Sequence, residues 1–308
     1  MRIAAFPKGW LDDISIHRTM SVFDWIERAG ALGCEGLELY EGFFWSLEDD
    51  FVEAVGQALE KAGFDMPMMC CSPDFTHPDP GFRRDQIERQ ARFIEITRAL
   101  GGSGAACRVL SGQRHPGLSV EEGLERAAGA IRELLPLAHR LDVTLALENH
   151  YKDGAWLYPE FAQRRDVFLR LLDAIDDRTH FGVQYDPSNA VVAGDDPVDL
   201  LRAVIGRVVT MQASDRYLAP GASLDDVLAA EGRPGYLEQL RHGVIGQGMN
   251  DFDAIFSTLA AAGYNGWVSV EDGVDGLDQM RQSVEFLKQM REVHFGGRTD
   301  LSRDNLVQ

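Results

Sequence analysis

The chain of 308 residues carries 49 acidic against 30 basic side chains, a formal net charge of −19 at pH 7. Such an acidic excess excludes a nucleic-acid partner, whose phosphates need clustered Lys and Arg. No run approaches the roughly 20 apolar residues that span a bilayer, so no membrane partner is expected, and 45% hydrophobic with 26% charged residues is an ordinary globular composition.

Strand-like and helix-like segments alternate along almost the whole chain. RIAAF opens as a first strand and RTMSVFDWIERAGALG follows as a helix. GLELY, MPMMCCS and AACRVLS are the next three strands, each followed by a long amphipathic segment. VTLALENH, FGVQYD, RVVTMQAS and GWVSVED are strands five to eight, the last leading into GLDQMRQSVEFLKQMREVHF. Gly33, Gly63, Gly101 and Gly263 stand where left-handed helix caps are expected, and Ser119 with Glu122 reads as a capping box. Eight strand–helix repeats at this length predict an α/β chain forming a single (β/α)8 barrel over residues 1–295, with a polar tail at 296–308. Absence of a GxGxxG after the first strand weakens a dinucleotide-binding alternative. Two long loops, YKDGAWLYPEFAQ after strand five and the stretch from RYLAPG to IGQG after strand seven, leave the strand ends where barrel enzymes place their sites.

The cysteines Cys34, Cys70, Cys71 and Cys107 form no CxxC pair. Free thiols in a reducing cytoplasm are expected. The opening MRIAAFPKGW lacks a basic stretch followed by a long apolar run, which predicts no signal peptide.

Strands five to eight carry the chemistry. Buried parallel strands read as continuous apolar runs, so polar residues at their ends need a reason. Period-two alternation puts Thr144, Ala146, Glu148 and His150 on one face, Gln184 with Asp186 on another, then Thr210 with Gln212, and Ser269 with Glu271. In a closed barrel these faces point inward, and Glu148, Asp186, Gln212 and Glu271 converge at one mouth. Taken singly, each is more often a solvated, capping or satisfied polar residue. Jointly they form an oxygen-rich set suited to a divalent cation, Mn²⁺ foremost, with Mg²⁺ or Co²⁺ as alternatives. His150, beside Glu148, is a candidate acid/base residue, or a residue that orients Glu148. Arg216 and His242 in the long seventh loop are candidate substrate contacts. Glu38, inward in GLELY, is a further candidate or a buried polar support. His77 and His115 are weaker candidates. No glycine-rich phosphate loop of diagnostic form is present, and GQG at Gly246–Gly248 reads as a turn, which favours an unphosphorylated sugar or glycoside.

LALENH, YDPSN, QASD, GVIGQGMNDFDAI and GWVSVED together resemble the sugar phosphate isomerase/epimerase superfamily, the xylose-isomerase-like barrels, over nearly the full length. That resemblance implies one metal held by Glu, Asp, His and Glu from strands five to eight. Glu148, Asp186 and Glu271 match, and Gln212, whose amide oxygen is a neutral and weaker donor than imidazole, stands where the family usually has His. ENHY, Gln212 and the segment RHGVIGQGMNDFDAIF with GWVSVEDGVDG are also similar to the larger subunits of C-glycoside deglycosidases. This finer resemblance implies carbon–carbon lyase activity on 3-oxo C-glycosides, with Glu148, His150 and Glu271 catalytic, and a small β-rich partner subunit. The alternative is a keto-sugar isomerase or epimerase working through an enediolate. A DNA-repair endonuclease of the same fold is disfavoured by the charge, and a metal-free binding protein by the three matching carboxylates.

Overall fold

The computed structural model describes residues 1–229, 239–271 and 275–296. Its strands are β1 (Arg2–Ala5), β2 in two pieces (Gly36–Leu37 and Leu39–Tyr40), β3 (Met68–Cys70), β4 (Ala106–Val109), β5 (Thr144–Glu148), β6 (Phe181–Tyr185), β7 (Val208–Ala213) and β8 (Trp267–Val270). Every neighbouring pair runs parallel. The sheet begins at Gly36–Leu37 beside β1, passes through β8, β7, β6, β5, β4 and β3, and ends at Leu39–Tyr40. Its first and last pieces are one stretch of chain on either side of Glu38. The sheet therefore meets itself at β2, and the expected barrel is formed.

Helices cover the outside because each presents one apolar stripe. Helix Asp49–Ala62 buries Val52, Val55 and Leu59, and helix Val120–Leu141 buries Ala127, Ile131, Leu134 and Ala138. Gly63 ends the first of these with φ of 76°, a left-handed conformation that only glycine adopts cheaply. Gly101 differs from expectation: it lies inside helix Pro80–Gly101, and Gly102 takes the positive φ. A Cβ on Gly101 would sit 2.4 Å from the Met66 carbonyl, so close approach rather than capping requires glycine there. Ser119 caps its helix by accepting from the Glu122 N–H, but Glu122 turns its carboxylate to Arg126 instead of completing the box. The reciprocal box forms between Ser21 and Asp24.

The loop after β5 crosses to β4 through a bridge between Gln113 and Glu160, and it buries Tyr151, Trp156 and Phe161. The loop after β7 contains an antiparallel ribbon, Arg216–Leu218 against Leu240–His242, and a short helix, Leu224–Ala229. The middle of that loop and most of the expected polar tail, residues 297–308, lie outside the described residues. All four cysteines are free thiols. Among the described residues no helix is long and apolar enough to cross a membrane.

Candidate active site at the mouth of the barrel

Glu148 ends β5, Asp186 follows β6, Gln212 lies in β7 and Glu271 follows β8. Their relative exposures are 1%, 0%, 1% and 6%, so all four are buried. Asp186 is also the N-cap of helix Pro187–Val192, its Oδ1 accepting the Asn189 N–H at 2.9 Å. Its backbone is clamped to Asn149, whose side chain bonds both the Asp186 N–H and carbonyl.

Each side chain is held by a different partner. Arg108, inside β4, donates from Nη1 to Glu148 Oε2 at 2.7 Å, and Asn189 Nδ2 donates to Glu148 Oε1 at 2.9 Å. Lys8 Nζ donates to Glu271 Oε1 at 2.9 Å. Gln212 Nε2 donates to Glu38 Oε2 at 2.8 Å across the barrel. With that amide nitrogen committed to Glu38, the carbonyl oxygen of Gln212 is turned the other way.

Three oxygens then remain without a protein donor although they are buried: Asp186 Oδ2, Gln212 Oε1 and Glu271 Oε2. Leaving a buried acceptor unsatisfied costs about 1–3 kcal/mol, and these three lie in or just after the consecutive strands β6, β7 and β8. Two carboxylate oxygens and an amide oxygen are a hard donor set for a divalent cation, and these residues fit one. Glu148 differs, because both its oxygens are engaged. Among the described residues, the one group of three His, Cys, Asp or Glu ligand atoms lying within 4.8 Å of one another is His139, Asp177 and His180, not the carboxylates at the mouth.

Burial, then repulsion from Glu271 and Glu148, pushes the Asp186 carboxyl well above the ordinary carboxylate range. Burial raises Glu148 against the pull of Arg108. For Glu271 burial raises, but Lys8, Arg216 and Arg108 together more than offset it and the net shift is downward. Burial lifts Glu38 to about 8 despite its bond from Gln212. His150 is held well below the usual imidazole range by burial and then by Arg108, Lys8 and Arg216, so it is a neutral base at pH 7. Its Nδ1 lies 3.3 Å from Glu160 Oε2, and Glu160 is fixed by the Ser111 N–H and hydroxyl at 2.6 and 2.5 Å. The other ring nitrogen, Nε2, is left for a ligand.

A cavity of about 440 Å³ opens here. Lys8, Arg108, His150 and Glu271 make its polar side, while Phe6, Leu11, Ile16 and Tyr40 make an apolar wall. Tyr40 is tied across it to Asp153 by a 3.3 Å bond from its hydroxyl.

The expected substrate contacts stand further back. Glu38 is wholly buried behind Gln212. Arg216 reaches the site through Asn189, its Nη2 donating to Asn189 Oδ1 at 3.0 Å, and His242 pairs with it in the ribbon. Neither Arg216 nor His242 lines the cavity. His115 bonds Asp74, and His77 stacks on Phe82, likewise outside the cavity. The GQG segment is a turn whose Gly246 and Gly248 N–H groups both donate to Asp215 Oδ2 at 2.8 Å. Asp215 thereby occupies the amides that a phosphate would use.

Sequence reading missed Lys8, Arg108, Asn189, Tyr40 and Glu160. Arg108 had a signal, a lone charge inside the apolar run AACRVLS on the same face as Ala106. Asn189 had another, three residues beyond a capping Asp. Lys8, Tyr40 and Glu160 had none.

A family description, xylose isomerase-like TIM barrel, matches residues 26–290. The chain belongs to that family. By sequence it is 25% identical over 200 residues to inosose dehydratase from Bacillus anthracis (strain CDC 684 / NRRL 3495), a match covering 60% of this chain and 63% of that protein. Thus the chain spans less than two thirds of the length of the curated relative it matches. In three dimensions it is similar to a D-tagatose 3-epimerase-like protein, with a TM-score of 0.76 at 16% identity over 96% of this chain and 99% of that one. A crystal structure of the IolI protein with a bound zinc atom is similar with a TM-score of 0.72 at 15% identity, over 96% and 99% of the two chains. At these identities the structural likeness is one of fold.

Proposed function

We propose that this chain is a divalent-metal-dependent enzyme that removes the proton beside a ketone in a sugar-like substrate and then eliminates a β-substituent. The observation that carries the proposal is the trio of buried, undonated oxygens on Asp186, Gln212 and Glu271, the last of which lines the cavity together with Lys8, Arg108 and His150. Those three residues would hold the cation, with Glu148 joining them if it gave up one of its present bonds. The cation supplies Lewis acidity that polarises the ketone, and an all-oxygen set suits manganese.

His150 Nε2 takes the proton from the carbon next to the ketone. Glu160 holds the ring in place through Nδ1. Lys8 and Arg108 supply positive charge beside the developing oxyanion. As the C–H electrons form a double bond, the bond to the β-substituent breaks, and the imidazolium of His150 returns its proton to the departing atom. For a 3-oxo C-glycoside that atom is an aryl carbon, and Phe6, Leu11, Ile16 and Tyr40 offer an apolar seat for the ring. A second reading, loss of water from a keto-polyol, is favoured by the sequence match to inosose dehydratase. Incubation with a 3-oxo C-glycoside and, separately, with inosose decides between them. Released arene supports the first and a dehydrated enone the second. Epimerised substrate without either product overturns elimination. His150→Ala is expected to keep bound metal and lose turnover by about 10²–10⁴-fold, the usual range for a general base. An unchanged rate returns His150 to a structural role.

A small β-rich companion subunit belongs to this proposal. Exposed Ile16, Trp45, Leu157 and Tyr217 all sit on loops that follow strand C-terminal ends, around the mouth. Purification from the native cell is expected to bring down a second, smaller chain in constant ratio. A chain that is purified alone and fully active removes the companion.

A further inference from the structure

We propose that His139, Asp177 and His180 form a second metal site, for zinc, on the opposite face of the barrel from the mouth. His139 lies in the last turn of helix Val120–Leu141, which feeds the start of β5. Asp177 and His180 lie in the connection between helix Arg165–Asp173 and the start of β6. One ligand atom from each of the three lies within 4.8 Å of the others. The two imidazoles are 4.2 Å apart between ring centroids.

Hydrogen bonds around the cluster prepare these atoms for a metal. His180 Nε2 is 3.0 Å from Asp142 Oδ1, an arrangement that places the proton on Nε2 and leaves the Nδ1 lone pair free. That Nδ1 is buried and has no hydrogen-bond partner. Asp177 Oδ1 accepts the N–H groups of Thr179 and His180 at 2.9 and 2.8 Å, which fixes the carboxylate and directs Oδ2 to His139 Nε2 at 2.5 Å; zinc would replace the proton between these two atoms, with His139 then carrying its proton on Nδ1. Asp142 is itself anchored by Ser103. The result is two imidazole nitrogens and one carboxylate oxygen, with a carboxylate behind one imidazole. This chemistry suits Zn²⁺, with a fourth position for water. His139 is about half exposed, at 48% of its side chain, so ion and solvent have access. Because the ligands come from two separate connections, bound zinc ties the entries of β5 and β6 together. Its role is structural, on the face of the barrel that serves stability rather than chemistry.

The test is titration of the chelator-stripped full chain with zinc chloride, with protein-bound zinc counted at each step. Wild type is expected to take up one equivalent more than His139→Ala/His180→Ala, and Asp142→Asn to weaken that equivalent by about 10–100-fold. Substrate turnover of the variants stays at the wild-type level because the mouth is untouched, so failure here is separable from failure of the proposed reaction. Equal zinc stoichiometry in wild type and double variant overturns the site. Should the double variant not fold, His139→Asn alone, at the half-exposed position, decides it by the same count.

Discussion

Asp186→Asn is expected to give a protein at least as resistant to denaturant as the chelator-treated wild type, yet unable to hold the cation at the mouth or to turn over. Asp186 Oδ2 is buried without a donor, and its carboxyl faces the negative charges of Glu148 and Glu271. An ionised group there costs folding free energy that an amide does not. Asparagine keeps the helix cap, since its side-chain oxygen can still accept the Asn189 N–H. What disappears, on the proposed function, is a charged donor to the cation. Several kcal/mol of transition-state stabilisation go with it, and about 4 kcal/mol corresponds to a roughly 10³-fold loss of rate. Metal analysis, turnover and an unfolding curve on the same preparation check all three parts. Full metal content in the variant removes Asp186 from the ligand set, and a large loss of stability shows that its carboxylate serves the fold.

Arg108→Ala has the largest expected effect on stability. Arg108 and Glu148 are 7% and 1% exposed at their side chains and sit 2.7 Å apart. Arg108 also donates to the Cys71 carbonyl at 2.9 Å and to Ser72 Oγ at 3.0 Å, so it pins β3 as well as β5. Truncation leaves the Glu148 carboxylate buried with no cation against it, a loss of about 3–5 kcal/mol by analogy with other broken buried pairs. Replacing both partners, as in Arg108→Met/Glu148→Gln, restores much of that stability, because no buried charge is left alone. The double variant remains inactive, since Arg108 lines the cavity. Urea unfolding of the two singles and the double measures the coupling directly. Additive losses would show that the pair does not act as a unit.

Much of this site could be read before any coordinates. Glu148, Asp186, Gln212 and Glu271 stand out because a strand buried on both faces excludes polar residues unless something holds them, and period-two alternation then says which way they point. That reasoning is local, and it needs only the strand and its ends. It reached the barrel, and it named the four residues on which the proposed metal site draws. It also named Arg216, His242 and Glu38 as substrate contacts. In the structure Glu38 accepts from Gln212, and Arg216 donates to Asn189.

The strand pattern by itself determined that four polar ends meet at one mouth of an eight-stranded barrel. Burial forces alternation on each strand, and parallel strands of similar length present their ends together. Only the tertiary structure decided which oxygens are already engaged and which stand open. Lys8 reaches Glu271 across 263 residues of chain, and Gln212 reaches Glu38 across 174. Such pairings depend on where barrel closure brings distant side chains, and no periodicity within a single segment encodes that distance. The same holds for the His139, Asp177 and His180 cluster, whose members are unremarkable in sequence and meet because two helix–strand connections lie side by side beneath the barrel.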